Sequence, residues 1–204
     1  MPPVKWKASL DGAALAREGP MLEVRRASGD SPLYGFASDF GVETEVPTAA
    51  WLCDKMRSPP ECARRLRRFL VEGGVFAYDP CMIGTCAVAV ARGRQVQSLA
   101  IDGLADVAPA LVEGRPVALA SARWMKGPGW TGARVHVLRL DHLERALMIE
   151  TEEIDSRIAP VTQKMGKLSV EEGVLVYRGT RKAQLPSGEV IRVEPLVEKY
   201  HLTK

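Results

Sequence analysis

The chain has 204 residues and a mass of 22.3 kDa, enough for one large domain or two small ones when domains cluster at roughly 100–150 residues. Apolar residues make up 46% and charged residues 26%, the balance of an ordinary globular chain, and the net charge of +3 is mild. The longest apolar stretches, Val75–Tyr78 and Ala87–Ala91, are far below the roughly 18–20 residues of a membrane span, and Met1–Lys7 lacks the apolar core of a secretory signal, so a cytoplasmic protein with no membrane partner is expected.

Residues 1–50 alternate short extended runs with turn signals: Met21–Arg25, the turn Ser28–Pro32, then Pro32–Phe40, which reads as two or three strands. Thr48 is an N-cap candidate for a helix over about Ala49–Met56. Ser58-Pro59-Pro60-Glu61 starts a second helix, about Pro59–Glu72, ending at Gly73-Gly74. On it Cys62, Leu66, Phe69 and Leu70 recur on one face, while Arg64, Arg65, Arg67 and Arg68 form a basic side.

Val75–Tyr78 reads as a strand, and Cys86–Ala91 with Gln95–Ile101 as a hairpin around Arg92-Gly93-Arg94. Leu104–Val112 is a short helix candidate kinked near Pro109. Arg115–Trp124 and Ala133–Leu140 are strands joined by the loop 126–132. From Asp141 the spacing Leu143, Leu147, Ile149, Ile154, Ile158 reads as a helix ending before Pro160. A last hairpin pairs Gly173–Tyr177 with Val190–Val193. The expected fold is α+β, mainly antiparallel sheet with several short helices and no regular βαβ repeat. The expected division is a main domain over 1–145 with a basic central region, and a C-terminal helix plus hairpin over 146–204 packed on the same core.

All four cysteines, Cys53, Cys62, Cys81 and Cys86, fall between positions 53 and 86. A four-thiolate zinc site would use close pairs two to four residues apart; Cys81 and Cys86 meet that loosely and Cys53 and Cys62 do not. Disulfides are the second alternative. Unlinked thiols are the expected state, with Cys53 and Cys62 buried beside Trp51 and Leu66. No metal or cofactor is assigned.

From Arg115 to Leu140 there are five cations (Arg115, Arg123, Lys126, Arg134, Arg139) and no acid, a stretch that attracts a polyanion. Gly127, Gly129 and Gly132 match the dinucleotide fingerprint by letter, but a strand pattern follows where that site needs a helix. A glycine loop can still approach a phosphate backbone closely; Arg123, Lys126 and Arg134 flank it, and Trp124 and Trp130 can stack a base. The plainer alternative is a hairpin loop with solvated cations. For the arginine helix it is a solvated face, or pairing with Glu43, Glu45, Glu152 and Glu153.

The candidate nucleic-acid-binding residues are therefore Arg64, Arg65, Arg67, Arg68, Arg123, Trp124, Lys126, Gly127, Gly129, Trp130 and Arg134. The leading function is a nucleic-acid-binding or ribonucleoprotein-type assembly subunit without catalysis, its partners single-stranded RNA or DNA and other protein subunits. The alternatives are an enzyme on a nucleotide or phosphorylated substrate, using Asp141, His142 or Cys81, and a structural subunit of a larger protein particle. Histidines are few, His136, His142 and His201, and are read as structural.

Overall fold

Thr48 sets the first helix as its residue type predicts. Its side chain accepts a hydrogen bond from the Trp51 N–H at 3.3 Å, satisfying one of the free donors of the first turn. The helix, α1, runs Ala49–Met56 and stops at Arg57, which takes a left-handed conformation (φ 54°). The second helix, α2, is only Cys62–Arg65. The structure is a computed structural model and describes residues 4–7, 13–15, 21–24, 33–36, 43–59, 61–81 and 84–202.

Everything else regular among the described residues is strand. In chain order these are β1 (Val4–Lys7), β2 (Ala13–Leu15), β3 (Met21–Val24), β4 (Leu33–Phe36), β5 (Glu43–Val46), β6 (Arg67–Val71), β7 (Gly74–Tyr78), β8 (Thr85–Arg92), β9 (Gln95–Asp102), β10 (Leu104–Val112), β11 (Arg115–Met125), β12 (Trp130–Arg139), β13 (Glu144–Asp155), β14 (Val161–Glu171), β15 (Val174–Gln184) and β16 (Val190–Tyr200). Sixteen strands and two short helices among the described residues correct the α+β expectation: the chain is mostly β. No helix among the described residues is long and apolar enough to cross a membrane.

Three expected helices are strands, each for an identifiable reason. Arg67–Val71 lies between β4 and β7 in its sheet, and Arg68, Phe69 and Leu70 are all buried. A strand buried on both faces loses its alternation and mimics a helical stripe. Leu104–Val112 is an edge strand paired with β11 alone, where Pro109 is tolerated because a ladder donor is dispensable on an edge. Glu144–Asp155 pairs with β12 through two register shifts, and such bulges break strict period-two spacing.

The chain divides into two compact units: Met1–Cys81 with Thr85–Ile101 and Leu140–Leu143, and Met82–Gly84 with Asp102–Arg139 and Glu144–Lys204. In the first, a seven-stranded sheet has the order β2-β3-β4-β6-β7-β8-β9, with β1 and β5 forming a separate pair; β4 and β6 run parallel. Ala49, Leu52, Cys53, Met56, Cys62 and Leu66 pack with Ala77, Ala89 and Ala91 of β7 and β8. The second unit carries a seven-stranded antiparallel meander, β10 to β16 in sequence order, whose core is Val112, Val117, Val137, Ile149, Leu175 and Leu202. Its tight turns use positive-φ pairs, Glu113-Gly114 and Glu172-Gly173, the backbone that matches strand twist in two-residue hairpins.

The cysteines form two disulfides, Cys53–Cys62 and Cys81–Cys86, which corrects the expectation of unlinked thiols and leaves no thiolate for zinc. The left-handed turn at Arg57 folds α2 back on α1 and brings the first pair to a Cα separation of 5.9 Å, within the roughly 4.4–6.8 Å that a disulfide spans. Cys53 and Cys62 are buried in one cluster with Leu66, and Trp51 packs against it, so their surroundings are as expected while their chemistry is not.

A cation and tryptophan site on the second unit

The expected basic helix face is dismantled by the fold. Arg65 makes two hydrogen bonds to Asp79, Nε to Oδ1 at 3.1 Å and Nη2 to Oδ2 at 3.0 Å, with Asp79 buried. The hydrogen bonds and the charge of Asp79 raise the Arg65 guanidinium above its ordinary value. Its partner is thus none of the four glutamates considered above. Arg68 is 3% exposed and donates from Nη1 to the Pro47 carbonyl at 3.0 Å. Arg64, Arg65 and Arg67 are exposed, Arg65 while bonded to Asp79. The expected face is broken by the change from helix to strand at Leu66: a period of two sends Arg67 and Arg68 to opposite faces, whereas a helix would have fanned four arginines over one side.

The second region keeps its expected elements. β11 and β12 pair from Val117↔Arg139 to Met125↔Thr131, and the loop closes with Lys126 N–H donating to the Trp130 carbonyl at 3.0 Å. Gly127 and Gly129 have φ of 120° and 76°, which side chains disfavour. The Gly129 carbonyl accepts from Ser156 N–H at 2.8 Å and Ser156 Oγ at 3.1 Å. Gly132 lies directly under Trp124, since a Cβ there would stand 2.6 Å from Trp124 Cζ2. These glycines serve a hairpin and an indole, not a dinucleotide.

Trp124 and Trp130 meet edge to face with ring centroids 5.8 Å apart. Lys126 Nζ lies 5.0 Å and 4.5 Å from the two centroids. The guanidinium of Arg134 is 6.0 Å from Trp124 and that of Arg157 is 3.9 Å from Trp130. An alternating ladder results, Arg134, Trp124, Lys126, Trp130, Arg157, held by the attraction of cations to ring faces. The indole N–H groups are satisfied by β13: Trp124 Nε1 donates to Glu150 at 2.7 Å, and Trp130 Nε1 to Glu153 at 2.9 Å. Arg157 grips Asp155 through Nε at 2.9 Å and Nη2 at 2.6 Å, and these bonds hold the Asp155 carboxyl down at about 2.

Reading along the chain missed this acidic strand. The run 115–140 has no acid of its own, but the register sets Glu150 opposite Arg134, Glu152 opposite Ala133, Glu153 opposite Gly132 and Asp155 opposite Trp130. The signal was present in the alternating Ile149-Glu150-Thr151-Glu152; the apolar spacing across 143–158 hid it.

Among the described residues Arg123, Lys126 and Arg134 nevertheless have no carboxylate ion pair. Together with Trp124, Met125, Gly84, Asp102 and Gly103 they line a hollow of about 420 Å³, inside the roughly 300–1,000 Å³ of small-molecule sites. Arg134 Nη1 donates to Met148 Sδ at 3.5 Å, and among the described residues its buried Nε has no acceptor. Among the described residues neither Arg123 nor Lys126 has an ion pair. Two residues along the same strand face, His136 is 3% exposed and both its ring nitrogens lack partners. Burial first, then the charges of Arg145 and Arg134, push its pKa down to about 4, so it stays neutral.

Two residues of the enzymatic alternative are engaged locally. Cys81 is locked in a disulfide, and the Asp141 carboxylate accepts from the backbone N–H of His142 at 2.9 Å on an exposed turn. No protein-family model, curated protein or solved structure matches the chain.

Proposed function

We propose that the protein is a non-catalytic binding module for single-stranded nucleic acid that acts through the hollow on the second unit. The observation that carries this reading is the set of three cations, Arg123, Lys126 and Arg134, none paired with a carboxylate, lining one hollow with Trp124. Unneutralised cations draw phosphate by releasing its counterions, and an indole gives any base a stacking face. Lys126 would leave the indoles for a phosphate while a base takes its place. Arg64, Arg65, Arg67 and Arg68 drop out of the interface, two of them being engaged within the fold. The two disulfides support an oxidising compartment over the cytoplasm, because cytosolic thiols are kept reduced; that weakens the ribonucleoprotein setting.

The test is titration of a mixed oligonucleotide at several salt concentrations, followed by tryptophan fluorescence. Affinity is expected to fall steeply with salt, and the triple replacement Arg123→Ala, Lys126→Ala, Arg134→Ala to weaken it by roughly 1–3 kcal/mol; salt-independent binding, or an unchanged triple variant, would defeat the proposal. A second reading, a structural subunit contacting other chains, is favoured by β16, an edge strand on which Ile191, Val193 and Val197 are each half exposed or more. An exposed apolar edge invites pairing. A monomeric native mass at high concentration, with no other chain copurifying, would set that reading aside.

A further inference from the structure

We infer that the solvent face of β14, β15 and β16 docks an acidic, partly apolar segment of another protein. This rests on the second reading, a subunit contacting other chains, and deepens it by naming the surface and the chemistry of its partner.

An antiparallel sheet with one face on a core sets apolar residues inward and polar ones outward. β16 departs from that pattern. Leu175 and Tyr177 of β15 are buried, and the register sets Tyr200 and Glu198 opposite them, so by alternation Glu194 and Leu196 share the core side. Val193, Pro195 and Val197 therefore face out, and the two valines are 55% and 58% exposed. The same face continues onto β14: Pro195 lies opposite Thr180, and Thr180 opposite Met165, which is 48% exposed.

Cations border this apolar strip. Lys182 is opposite Val193, Arg178 opposite Val197, and Lys167 opposite Arg178, with Lys199 two positions beyond Val197. Arg178 is bonded to Glu171. Among the described residues Lys167, Lys182 and Lys199 have no ion pair. Against these three lysines stands Glu152 of β13, opposite Met165. The surplus of positive charge selects an acidic partner. Valine, proline and methionine give a base no ring to stack on, whereas apolar side chains of a protein gain by covering them. Pro195 has no N–H to offer a further strand at the edge, so the partner lies across the face.

The full-length protein, with disulfides intact, would be titrated by calorimetry with three short capped peptides, alternating Glu with Leu, Glu with Ser, and Lys with Leu. The Glu–Leu peptide should bind roughly tenfold tighter than either of the others, because it alone meets both the lysines and the valines. Val193→Ser with Val197→Ser should abolish that advantage and barely move the urea midpoint, exposed positions being tolerant. Lys167→Glu with Lys182→Glu should turn the preference toward the Lys–Leu peptide, a gain that unfolding cannot produce. Equal binding of the Glu–Leu and Glu–Ser peptides would overturn the inference by reducing the face to a charge patch. Self-association that the valine variant loses would overturn it in favour of a second copy, with the subunit reading left standing. Oligonucleotide binding lost in the lysine variant would overturn it in favour of nucleic acid. No peptide binding by a monomer that brings no other chain with it would end both the inference and the second reading.

Discussion

Two stretches of this chain, Arg64–Arg68 and Arg123–Arg134, look alike as sequence, each a knot of cations among apolar residues. In the first, Arg65 is bonded to Asp79 and Arg68 to the Pro47 carbonyl, so its charge holds the fold. In the second, the acids that arrive opposite, Glu150 and Glu153, bond to indole nitrogens instead of the cations, and Lys126 and Arg134 rest on rings. A cation–π contact leaves the ammonium or guanidinium donors free for another acceptor, whereas a bidentate carboxylate consumes them. What the neighbouring strand offers each cation, more than the number of cations, separates a cluster engaged by acceptors of the fold from one left without carboxylate partners.

The sharpest break of that comparison is Arg68→Glu. Burying an acid where a cation met a carbonyl should cost about 3–5 kcal/mol, read from the urea midpoint, and a loss below about 1 kcal/mol would return Arg68 to the surface cluster. Next come the disulfides. Replacing Cys53 and Cys62 by serine should remove about 2–3 kcal/mol through the freed unfolded chain, with anion binding untouched. Replacing Cys81 and Cys86 should cost a similar amount and also weaken binding, because the loop they close contains Gly84, whose carbonyl accepts from Gly103 N–H at 2.8 Å on the rim of the hollow. Equal effects of both pairs on binding would contradict this.

Gly132→Ala should cost roughly 1–3 kcal/mol by overpacking, since its Cβ would stand 2.2 Å from the Glu152 carbonyl and 2.6 Å from Trp124. A shifted tryptophan emission should accompany it. His136 gives a pH signature. Its folded pKa of about 4 lies below the ordinary 6.5, so the unfolded chain binds a proton first on acidification. The stability linked to this residue is therefore complete above about 6.5 and lost as pH falls toward 4. His136→Leu should flatten that slope in denaturation curves taken at steps of pH, and an unchanged slope would assign it to other groups. The smallest effect is expected at Arg64→Ala and Arg67→Ala, within about 0.5 kcal/mol, since both are exposed; a larger change would mean the first cluster is more tightly engaged than its contacts indicate.

Much of the architecture was legible from local chemistry. Thr48 capped its helix, β11, β12 and the glycine loop between them came out as expected, and the last hairpin lies within β15 and β16. These features depend on one residue's hydrogen bond, a backbone angle or the alternation of a half-buried strand, all properties of neighbours in the chain. Turn chemistry was read incompletely: the positive-φ pair Glu113-Gly114 marks a hairpin that the helical reading of Leu104–Val112 concealed, and Glu172-Gly173 marks one whose first strand went unread.

The rest was decided by partners far along the chain. Whether Arg67–Val71 is helix or strand depended on β4 and β7 lying beside it, because apolar spacing in a segment buried on both faces fits either period. Cys53 met Cys62 only because α2 folds back on α1. The charge of Arg65 was cancelled by a residue 14 positions away, while that of Arg134 stayed available because Glu150, its opposite in register, bonds Trp124 instead. The sequence thus set which residues could carry charge, turn the chain or fill a core. Which cations remained free for a ligand was settled by strand register, since the Coulomb and hydrogen-bond energies involved act only over the few ångströms that tertiary pairing creates.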